Sequence, residues 1–251
     1  MKGTALVTGA ARRIGRAIAL GLAEDGYDIA VHYGTSREDA EEVVAAIEKT
    51  GRRAKAFSAD LADERATHAL IAAAAEALGP VTCLVNNASV FERDEALGVT
   101  RASWDAHLET NLRAPFVLMQ EFARHLPEAA SGAIVNILDE RVWNLTPHFV
   151  SYTLSKAALW TLTQTMALAL APRIRVNAVG PGPTLPSPRQ SSEQFARQSA
   201  SVPLRRGASP DEFAACVRFI VKAGAMTGQM IALDGGQHLG WAQPGAGPPA
   251  E

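Results

Sequence analysis

The chain has 251 residues, of which 47% are hydrophobic and 20% charged, and its formal net charge is -2. These values are ordinary for a globular α/β protein, and the small negative charge argues against a nucleic acid or an anionic membrane surface as partner. No apolar run reaches the roughly 18 residues that suggest a membrane span. Cys83 and Cys216 stand alone in apolar segments, and the six His residues lack ligand spacing. We therefore expect a cytoplasmic protein with reduced thiols and no metal site.

The first elements are a short apolar strand and a helix, joined by a turn that contains glycine. The strand is predicted at Thr4–Val7 and the helix at Arg13–Ala23, with Gly9 and Gly15 in the connection. Gly9 permits a tight turn, Gly15 allows close helix packing, and a helix N-terminus offers free N–H groups to a pyrophosphate. The pattern favours a dinucleotide-binding unit over a plain strand-to-helix loop.

A second strand, predicted at Asp28–Val31, leads to a helix over residues 38–49. Folds that select NAD usually place Asp or Glu at the end of this strand to bind the ribose diol. No acid stands there, whereas Ser36 and Arg37 can donate hydrogen bonds to a 2′-phosphate. Arg13, in the glycine-containing turn, is a further nearby cation. These features predict that the cofactor is NADPH.

The remaining strands and helices alternate regularly along the chain. We predict strands at 53–57, 82–85, 133–138, 174–179 and 229–233, and helices at 64–78, 103–125, 152–171 and 211–222. This alternation is typical of a doubly wound parallel sheet, here of about seven strands with helices on both faces.

Composition also suggests how the domain ends. No linker or repeat interrupts the alternation, so residues 1–241 are expected to form one domain. The Pro/Gly/Ala-rich tail at 242–251 is expected to be disordered, and residues 185–206, rich in Pro, Ser and Gln, are expected to be mobile with a short helix.

Four polar or glycine positions lie where predicted strands end. These are Gly9, Asn86, Asp139 and Gly180. Because ligands of open α/β sheets bind outside the carboxyl ends of the strands, these positions should share one edge. Asn111, inside the helix 103–125, costs helix propensity and is therefore expected to have a partner within the fold.

Tyr152 and Lys156 are four residues apart at the start of an apolar helix, so they project from the same face. A phenol titrates near pH ~10, and a neighbouring ammonium favours the phenolate and lowers that pKa. The pair could serve as a proton donor, although an ordinary Tyr and an ordinary Lys are the alternative interpretation.

The motifs T-G-x5-G, N-N-A, Y-x-x-x-K, P-G and D-G-G, in this order, resemble the short-chain dehydrogenase/reductase family over residues 3–241. The resemblance implies a Rossmann fold, a nicotinamide cofactor and a homotetramer. It implies that Tyr152 donates a proton, that Lys156 binds the nicotinamide ribose and lowers the Tyr152 pKa, and that Asn111 supports a proton-relay water. Asp60 would contact adenine. The residues expected at the cofactor are Gly9, Arg13, Ile14, Gly15, Ser36, Arg37, Asp60, Leu61, Asn87, Ala88, Ser89, Lys156, Pro181, Gly182 and Thr184.

One position departs from the usual family pattern. The family generally has Ser thirteen residues before the Tyr, whereas this chain has Asp139. An ionised carboxylate only accepts hydrogen bonds, so it would repel a developing alkoxide. The pteridine reductase branch of the family carries Asp at this position, and the matching residues are Arg13, Ser89, Phe91, Asp139, Tyr152 and Lys156.

By this resemblance, Phe91 would stack on a pterin opposite the nicotinamide, and Arg13 and Ser89 would bind its polar edge and the cofactor phosphates. Reduction of a C=N bond needs hydride on carbon and a proton on nitrogen, which Tyr152 with Asp139 could deliver. The segments 141–149 and 185–206 are expected to line the substrate pocket.

Other interpretations remain open. Asp139 could cap the following turn and Phe91 could be a core residue. The chain could reduce another ketone or imine, or it could bind NADPH as a regulator without catalysis.

Overall fold

The computed structural model describes residues 2–187 and 190–240, so the predicted tail at 242–251 lies outside the described residues. Seven strands form one sheet in the order β3-β2-β1-β4-β5-β6-β7, and every neighbouring pair is parallel. The strands are β1 (Thr4–Val7), β2 (Asp28–Tyr33), β3 (Ala54–Ser58), β4 (Val81–Asn86), β5 (Gly132–Ile137), β6 (Ile174–Pro181) and β7 (Met230–Leu233). The predicted fold class, a doubly wound α/β sheet, is confirmed.

Helices cover both faces of this sheet. They are α1 (Arg13–Glu24), α2 (Arg37–Glu48), α3 (Glu64–Leu78), α4 (Arg101–Leu108), α5 (Ala114–His125), α6 (Val150–Leu170), α7 (Ser192–Ser201) and α8 (Pro210–Lys222). Most boundaries lie within two residues of those predicted. The short helix expected within residues 185–206 is α7.

Two apolar clusters flank the sheet. One holds Ile18 of α1 and Phe213 of α8, and the other holds Ile71 of α3 and Phe122 of α5. The central strands are buried on both faces, which is why they read as continuous apolar runs. The strand order reverses between β1 and β4, and this reversal opens a crevice at the carboxyl edge.

The helix predicted over residues 103–125 is interrupted, which corrects the prediction of a continuous helix. A π-helical turn, Glu109–Arg113, separates α4 from α5. Pro115 lies in the first turn of α5 and has no N–H to donate to the carbonyl of Asn111, four residues earlier. The turn therefore follows from the Asn-x-x-x-Pro spacing, and it carries Asn111 into the interior.

None of the helices within the described ranges combines the length and the hydropathy needed to cross a membrane.

Candidate active site

A cavity of about 1000 Å³ opens at the carboxyl edge of the sheet. Its wall is formed by the turn before α1, the segments after β4, β5 and β6, the first turns of α6, and α7. The predicted site residues that line it are Gly9, Arg13, Ile14, Gly15, Asn87, Ala88, Ser89, Phe91, Asp139, Tyr152, Lys156, Pro181, Gly182 and Thr184. Both segments expected to line the pocket, 141–149 and 185–206, also contribute to its wall.

The turn before α1 is held against the end of β4 by a compact hydrogen-bond network. The Thr8 hydroxyl accepts from the backbone N–H groups of Asn87 and Ala88, at 2.9 and 3.0 Å. The Asn87 amide donates to the carbonyls of Thr8 and Gly9, at 2.8 and 3.1 Å. A Cβ atom at Gly15 would lie 2.2 Å from the Gly9 carbonyl oxygen, so only glycine allows this close approach.

His32 completes this turn, and the sequence analysis did not identify it. Its Nδ1 accepts from the backbone N–H of Gly9 at 3.1 Å, and its Nε2 lies 3.1 Å from the carbonyl of Ala59. Burial lowers the His32 pKa to about 4, so the ring is neutral near pH 7 and Nε2 is the donor. The available signal was an imidazole that directly follows the apolar residues Ile29–Val31 of β2.

Arg13 occupies a strained backbone conformation at the start of α1. Its φ of 56° lies in the left-handed region that glycine adopts most readily. The guanidinium donates to the carbonyls of Pro186 and Leu185, at 2.8 and 3.1 Å. These bonds join the turn to the segment before α7 and help to offset the backbone strain.

Tyr152 and Asp139 form the central pair of the site. Both side chains are buried, and the phenol donates to Asp139 Oδ2 at 2.7 Å. Lys156 is also buried, and its ammonium donates to the carbonyl of Ile137 at 2.8 Å. The three groups that were predicted to carry the chemistry thus meet where β5 ends and α6 begins.

The ionisation of Tyr152 differs from the prediction. Burial, followed by the charge and hydrogen bond of Asp139, raises the Tyr152 pKa well above its ordinary value. Lys156 lies 5.8 Å from the ring centroid, and burial lowers its own pKa to about 8. Burial and the Asp139 carboxylate thus shift the Tyr152 pKa in the direction opposite to the predicted lowering, and the role predicted for Lys156 stays a prediction.

Asn111 lies behind the cavity wall and organises the segment after β4. Its amide accepts from the Val90 N–H at 2.8 Å and donates to the Val90 carbonyl at 2.9 Å. It also donates to the Ser155 hydroxyl at 3.1 Å, and Ser89 donates to it at 3.2 Å. The prediction of a partner within the fold is confirmed.

Two phenylalanines form an aromatic wall. Phe91 and Phe149 are stacked with ring centroids 4.6 Å apart and an interplanar angle of 7°. The rings of Tyr152 and Phe91 meet edge to face, also with 4.6 Å between centroids. Phe91 lines the cavity and is only partly buried, so the interpretation of it as a core residue is wrong. Phe149 belongs to the segment 141–149 that was expected to line the pocket, but the sequence gave no sign of its left-handed φ of 60° or of its stacking on Phe91.

A buried polar cluster around Asp94 fixes this aromatic wall. Asp94 accepts hydrogen bonds from the hydroxyls of Ser103 and Ser151 and from the Ser151 backbone N–H. Its carbonyl accepts from the N–H of Phe149 at 2.9 Å. His107 lies 2.8 Å from the Ser151 hydroxyl, so α4 and α6 are tied to the segment that carries Phe91.

Four residues predicted at the cofactor do not line the cavity: Ser36, Arg37, Asp60 and Leu61. They follow β2 and β3, so they lie at the same edge of the sheet, beyond the cavity. Asp60 accepts from the Ala62 N–H at 3.0 Å, which is a local turn contact. Their assignment to the cofactor stays a prediction.

Within residues 2–187 and 190–240, no three side chains of the His, Cys, Asp or Glu type are grouped to hold a metal ion.

Glu140 is a buried carboxyl next to Asp139 and is 2% exposed. Burial, the charge of Asp139 and the charge of Asp234 raise the Glu140 pKa to about 8, and Arg141 opposes this shift. Glu140 therefore carries a proton near pH 7. Its Oε2 is buried without a hydrogen bond to any described residue.

We expect Glu140→Gln to make stability less dependent on pH. The folded state holds the Glu140 proton up to about pH 8, whereas the unfolded chain releases it near its ordinary value of 4.5. The stability that protonated Glu140 allows is thus fully present below its unfolded-state pKa and is lost as the pH rises through its folded-state pKa of about 8. The variant should exceed the parent by roughly 1–3 kcal/mol at alkaline pH and match it under acidic conditions. Denaturant unfolding across this pH range measures the difference.

Glu76→Gln, on the exposed face of α3, is the matched control and should leave the pH dependence of unfolding unchanged. Parallel stability curves for Glu140→Gln and the parent protein would contradict the assignment of a buried proton to Glu140.

Comparisons with known proteins place this site in a family. The profile of the short chain dehydrogenase family matches residues 3–197. The 3-oxoacyl-[acyl-carrier-protein] reductase FabG of Staphylococcus aureus is 36% identical over 244 residues, which cover 95% of this chain and 99% of that protein.

Solved structures give the same result. The crystal structure of FolM alternative dihydrofolate reductase 1 from Brucella canis, complexed with NADP, has a TM-score of 0.93 and 47% identity, covering 97% of this chain and 96% of that one. A short chain dehydrogenase from Burkholderia cenocepacia, in complex with NADP, has a TM-score of 0.88 and 39% identity, covering 94% and 98%. The fold, the Tyr152–Lys156 site and these similarities together show that the chain belongs to the short chain dehydrogenase family.

Proposed function

We propose that this protein is an NADPH-dependent reductase that transfers hydride to a C=N bond of a pterin of the dihydropterin, biopterin or dihydrofolate type. The observation that carries this proposal is the hydrogen bond from the Tyr152 phenol to the Asp139 carboxylate, beside the aromatic wall of the cavity.

The cofactor is NADPH. The Brucella and Burkholderia proteins were both crystallised with NADP, and the cavity contains the glycine turn expected to hold the pyrophosphate. Strand β2 ends at Tyr33, and the following residues Ser36 and Arg37 supply donors in place of the acid that binds a ribose diol. When bound, NADPH supplies the hydride. Lys156 would hold the nicotinamide ribose.

This proposal predicts a preference for NADPH over NADH. We expect kcat/KM to be higher with NADPH, because the donors after β2 match a 2′-phosphate and no acid stands at the strand end to bind a ribose diol. The measurement compares the two cofactors at one substrate concentration. Equal values, or a preference for NADH, would refute the cofactor assignment.

The shape and polarity of the cavity suit a pterin. Phe91 offers an aromatic surface for ring stacking, and Arg13 and Ser89 offer donors for the polar edge of the ring. The Brucella relative is named an alternative dihydrofolate reductase, and dihydrofolate contains a pterin ring. Both considerations support the same class of substrate.

The proton that the reaction needs is held between Tyr152 and Asp139. In the resting site these two groups share one proton, with the phenol as donor. Transfer of that proton to a ring nitrogen leaves the pair with one more negative charge. Since no oxyanion forms on the substrate, the Asp139 carboxylate does not oppose the reaction in the way it would oppose a developing alkoxide.

A second candidate is a reductase of another ketone or imine. The 36% identity to a 3-oxoacyl-[acyl-carrier-protein] reductase favours it. The carboxylate of Asp139 disfavours it, because an alkoxide formed beside Tyr152 would meet a negative charge. A regulator that binds NADPH without catalysis is disfavoured by the intact set of Tyr152, Lys156 and Asn111.

Isotope transfer tests the proposed reaction. NADPH deuterated at the transferable position should give a tetrahydropterin whose mass is increased by the incorporated deuterium at a ring carbon. Parallel incubations offer a ketone instead of the pterin. Deuterium in the reduced ketone, with none in the pterin, would overturn the proposal.

We also propose a homotetramer. Leu154 and Leu168 on α6 are 46% and 84% exposed, and Phe219 on α8 is 57% exposed, which leaves apolar surface that assembly would cover. Light scattering at micromolar concentration should give four times the chain mass of 26.6 kDa. A monomeric mass would contradict this prediction.

A further inference from the structure

Arg141 makes the closest charged contact with Asp139. Its Nη1 donates to both carboxylate oxygens, at 3.0 and 3.1 Å, and its backbone N–H donates to Oδ1 at 2.9 Å. The last bond is the turn cap that the sequence offered as the alternative role of Asp139. The Asp139 carboxylate therefore both caps the turn and accepts a hydrogen bond from the Tyr152 phenol.

The guanidinium is enclosed as well as paired. The Arg141 side chain is 16% exposed and lines the cavity. Its central carbon lies 5.6 Å from the ring centroid of Phe91 and 5.4 Å from that of Phe149. The cation–π contacts hold the guanidinium in place. Partial burial strengthens its attraction to Asp139, because water screens the two charges less than at an open surface.

The other ionisable groups around Asp139 do not replace this charge. Glu140, with Asp234 beside it, is neutral near pH 7 because burial raises its pKa to about 8. Lys156, whose pKa burial lowers to about 8, stays charged near pH 7 and interacts with Asp139 through space, but its ammonium donates to the Ile137 carbonyl and forms no hydrogen bond to the carboxylate. Among the described residues, Arg141 is the cation that forms an ion pair with Asp139.

A counter-charge is most important after proton transfer. Loss of the shared proton would leave phenolate and carboxylate oxygens where Tyr152 and Asp139 now lie 2.7 Å apart. Two anions at this separation repel each other strongly in a buried site. Arg141 favours the ionised phenol, since its charge acts to lower the Tyr152 pKa against the larger effects of burial and Asp139.

We propose that Arg141 is a positioning residue that sets the proton content of the Tyr152–Asp139 pair and stabilises the pair after it has given up its proton. This inference rests on the proposed function only for the identity of the proton acceptor. Arg141 acts through Asp139, and the aromatic wall of Phe91 and Phe149 keeps its guanidinium in place.

The test uses variants that separate charge from shape. Arg141→Met removes the charge and retains apolar bulk, and Arg141→Gln removes the charge and retains hydrogen-bonding groups. Arg141→Lys keeps the charge. The matched control is Arg113→Met, because Arg113 also pairs with a carboxylate and lies over a phenylalanine ring, but outside the cavity.

Two readouts are needed. The first is the pH profile of kcat/KM for a dihydropterin, and the second is the carboxyl ¹³C chemical shift of Asp139 at one fixed pH in the protein without substrate. In Arg141→Met and Arg141→Gln, the midpoint of the pH profile should rise by about one pH unit or more, because an opposite charge at this distance is worth that much, and the Asp139 carboxyl signal should move away from its position in the parent protein. The kcat should fall by roughly 10-fold or more. In Arg141→Lys the midpoint of the pH profile should return most of the way to that of the parent protein, and Arg113→Met should have the same midpoint as the parent.

Unchanged midpoints in the two neutral variants would overturn the proposal, as would an equal shift in Arg113→Met. If the parent protein fails to reduce any pterin, the proposed function fails, but the Asp139 carboxyl chemical shift still decides the role of Arg141: an unchanged signal in both neutral variants would overturn it. Far-ultraviolet circular dichroism confirms that each variant is folded before it is compared.

Discussion

Replacing Asp139 by Ser should lower kcat/KM for a dihydropterin by roughly 10²–10⁴-fold, the range typical of a positioned acid–base group. A decrease in kcat/KM would be informative because Ser is the residue that the family usually has at this position. In this structure the carboxylate accepts from Tyr152 and from Arg141, so the substitution removes the acceptor of the shared proton and leaves Arg141 without its partner. The measurement is steady-state NADPH oxidation with dihydropterin.

The same substitution distinguishes the two candidate substrates. If the substrate were a ketone, a hydroxyl donor would replace a repelling carboxylate next to the developing alkoxide, and activity should be kept or raised. NADPH affinity serves as the control and should barely change, because the cofactor contacts are predicted elsewhere. An Asp139→Ser variant that reduces dihydropterin as fast as the parent would contradict the proposed mechanism.

Replacing Gly15 by Ala should weaken NADPH binding on the order of 10²-fold, the size of effect that a displacement near 1 Å can have at a catalytic site. The new Cβ would lie 2.2 Å from the Gly9 carbonyl oxygen and 2.5 Å from the Asn87 amide nitrogen. The first of these atoms belongs to the backbone, and the second is held by hydrogen bonds to the carbonyls of Thr8 and Gly9. Neither can give way alone, so the turn must move. The cofactor dissociation constant, measured by fluorescence titration, reports this change.

Gly224→Ala is the matched control for this substitution. A Cβ at Gly224 meets no atom within 4 Å, and the residue has no positive φ, so NADPH binding should be unchanged. Similar dissociation constants for Gly15→Ala and the parent protein would show that the glycine turn does not hold the cofactor.

The fold was predictable from sequence to a large extent. Buried parallel strands appear as apolar runs, and their alternation with helices specifies the sheet, so the seven strands were all anticipated. The π-helical turn at Glu109–Arg113 was not, although the Pro115 that accompanies it is visible in the sequence. Helical periodicity alone does not show whether a proline interrupts a helix or only begins its next segment.

The site was predictable where a residue follows a strand and less so where a contact depends on tertiary structure. Gly9, Asn87 and Asp139 line one cavity because parallel strands end at a common edge. Phe149 depends instead on a left-handed backbone that the Asp94 cluster holds in place.

The ionisation of Tyr152 also depends on tertiary structure. The spacing of Tyr152 and Lys156 suggested a lowered phenol pKa, but the spacing does not reveal that Asp139 accepts from the phenol or that burial dominates. The sequence places Arg141 two residues after Asp139. It does not show that the guanidinium pairs with the Asp139 carboxylate and lies against the Phe91 ring.

The central claim is that the cavity reduces a pterin and not a ketone. Its most direct test is the ratio of kcat/KM for dihydrobiopterin to kcat/KM for a 3-oxoacyl thioester, measured with NADPH on the same preparation of the parent protein. We predict a ratio well above one, because Asp139 supports protonation of a ring nitrogen and opposes an alkoxide. A ratio below one would contradict it and would favour the reaction for which the Staphylococcus aureus relative is named.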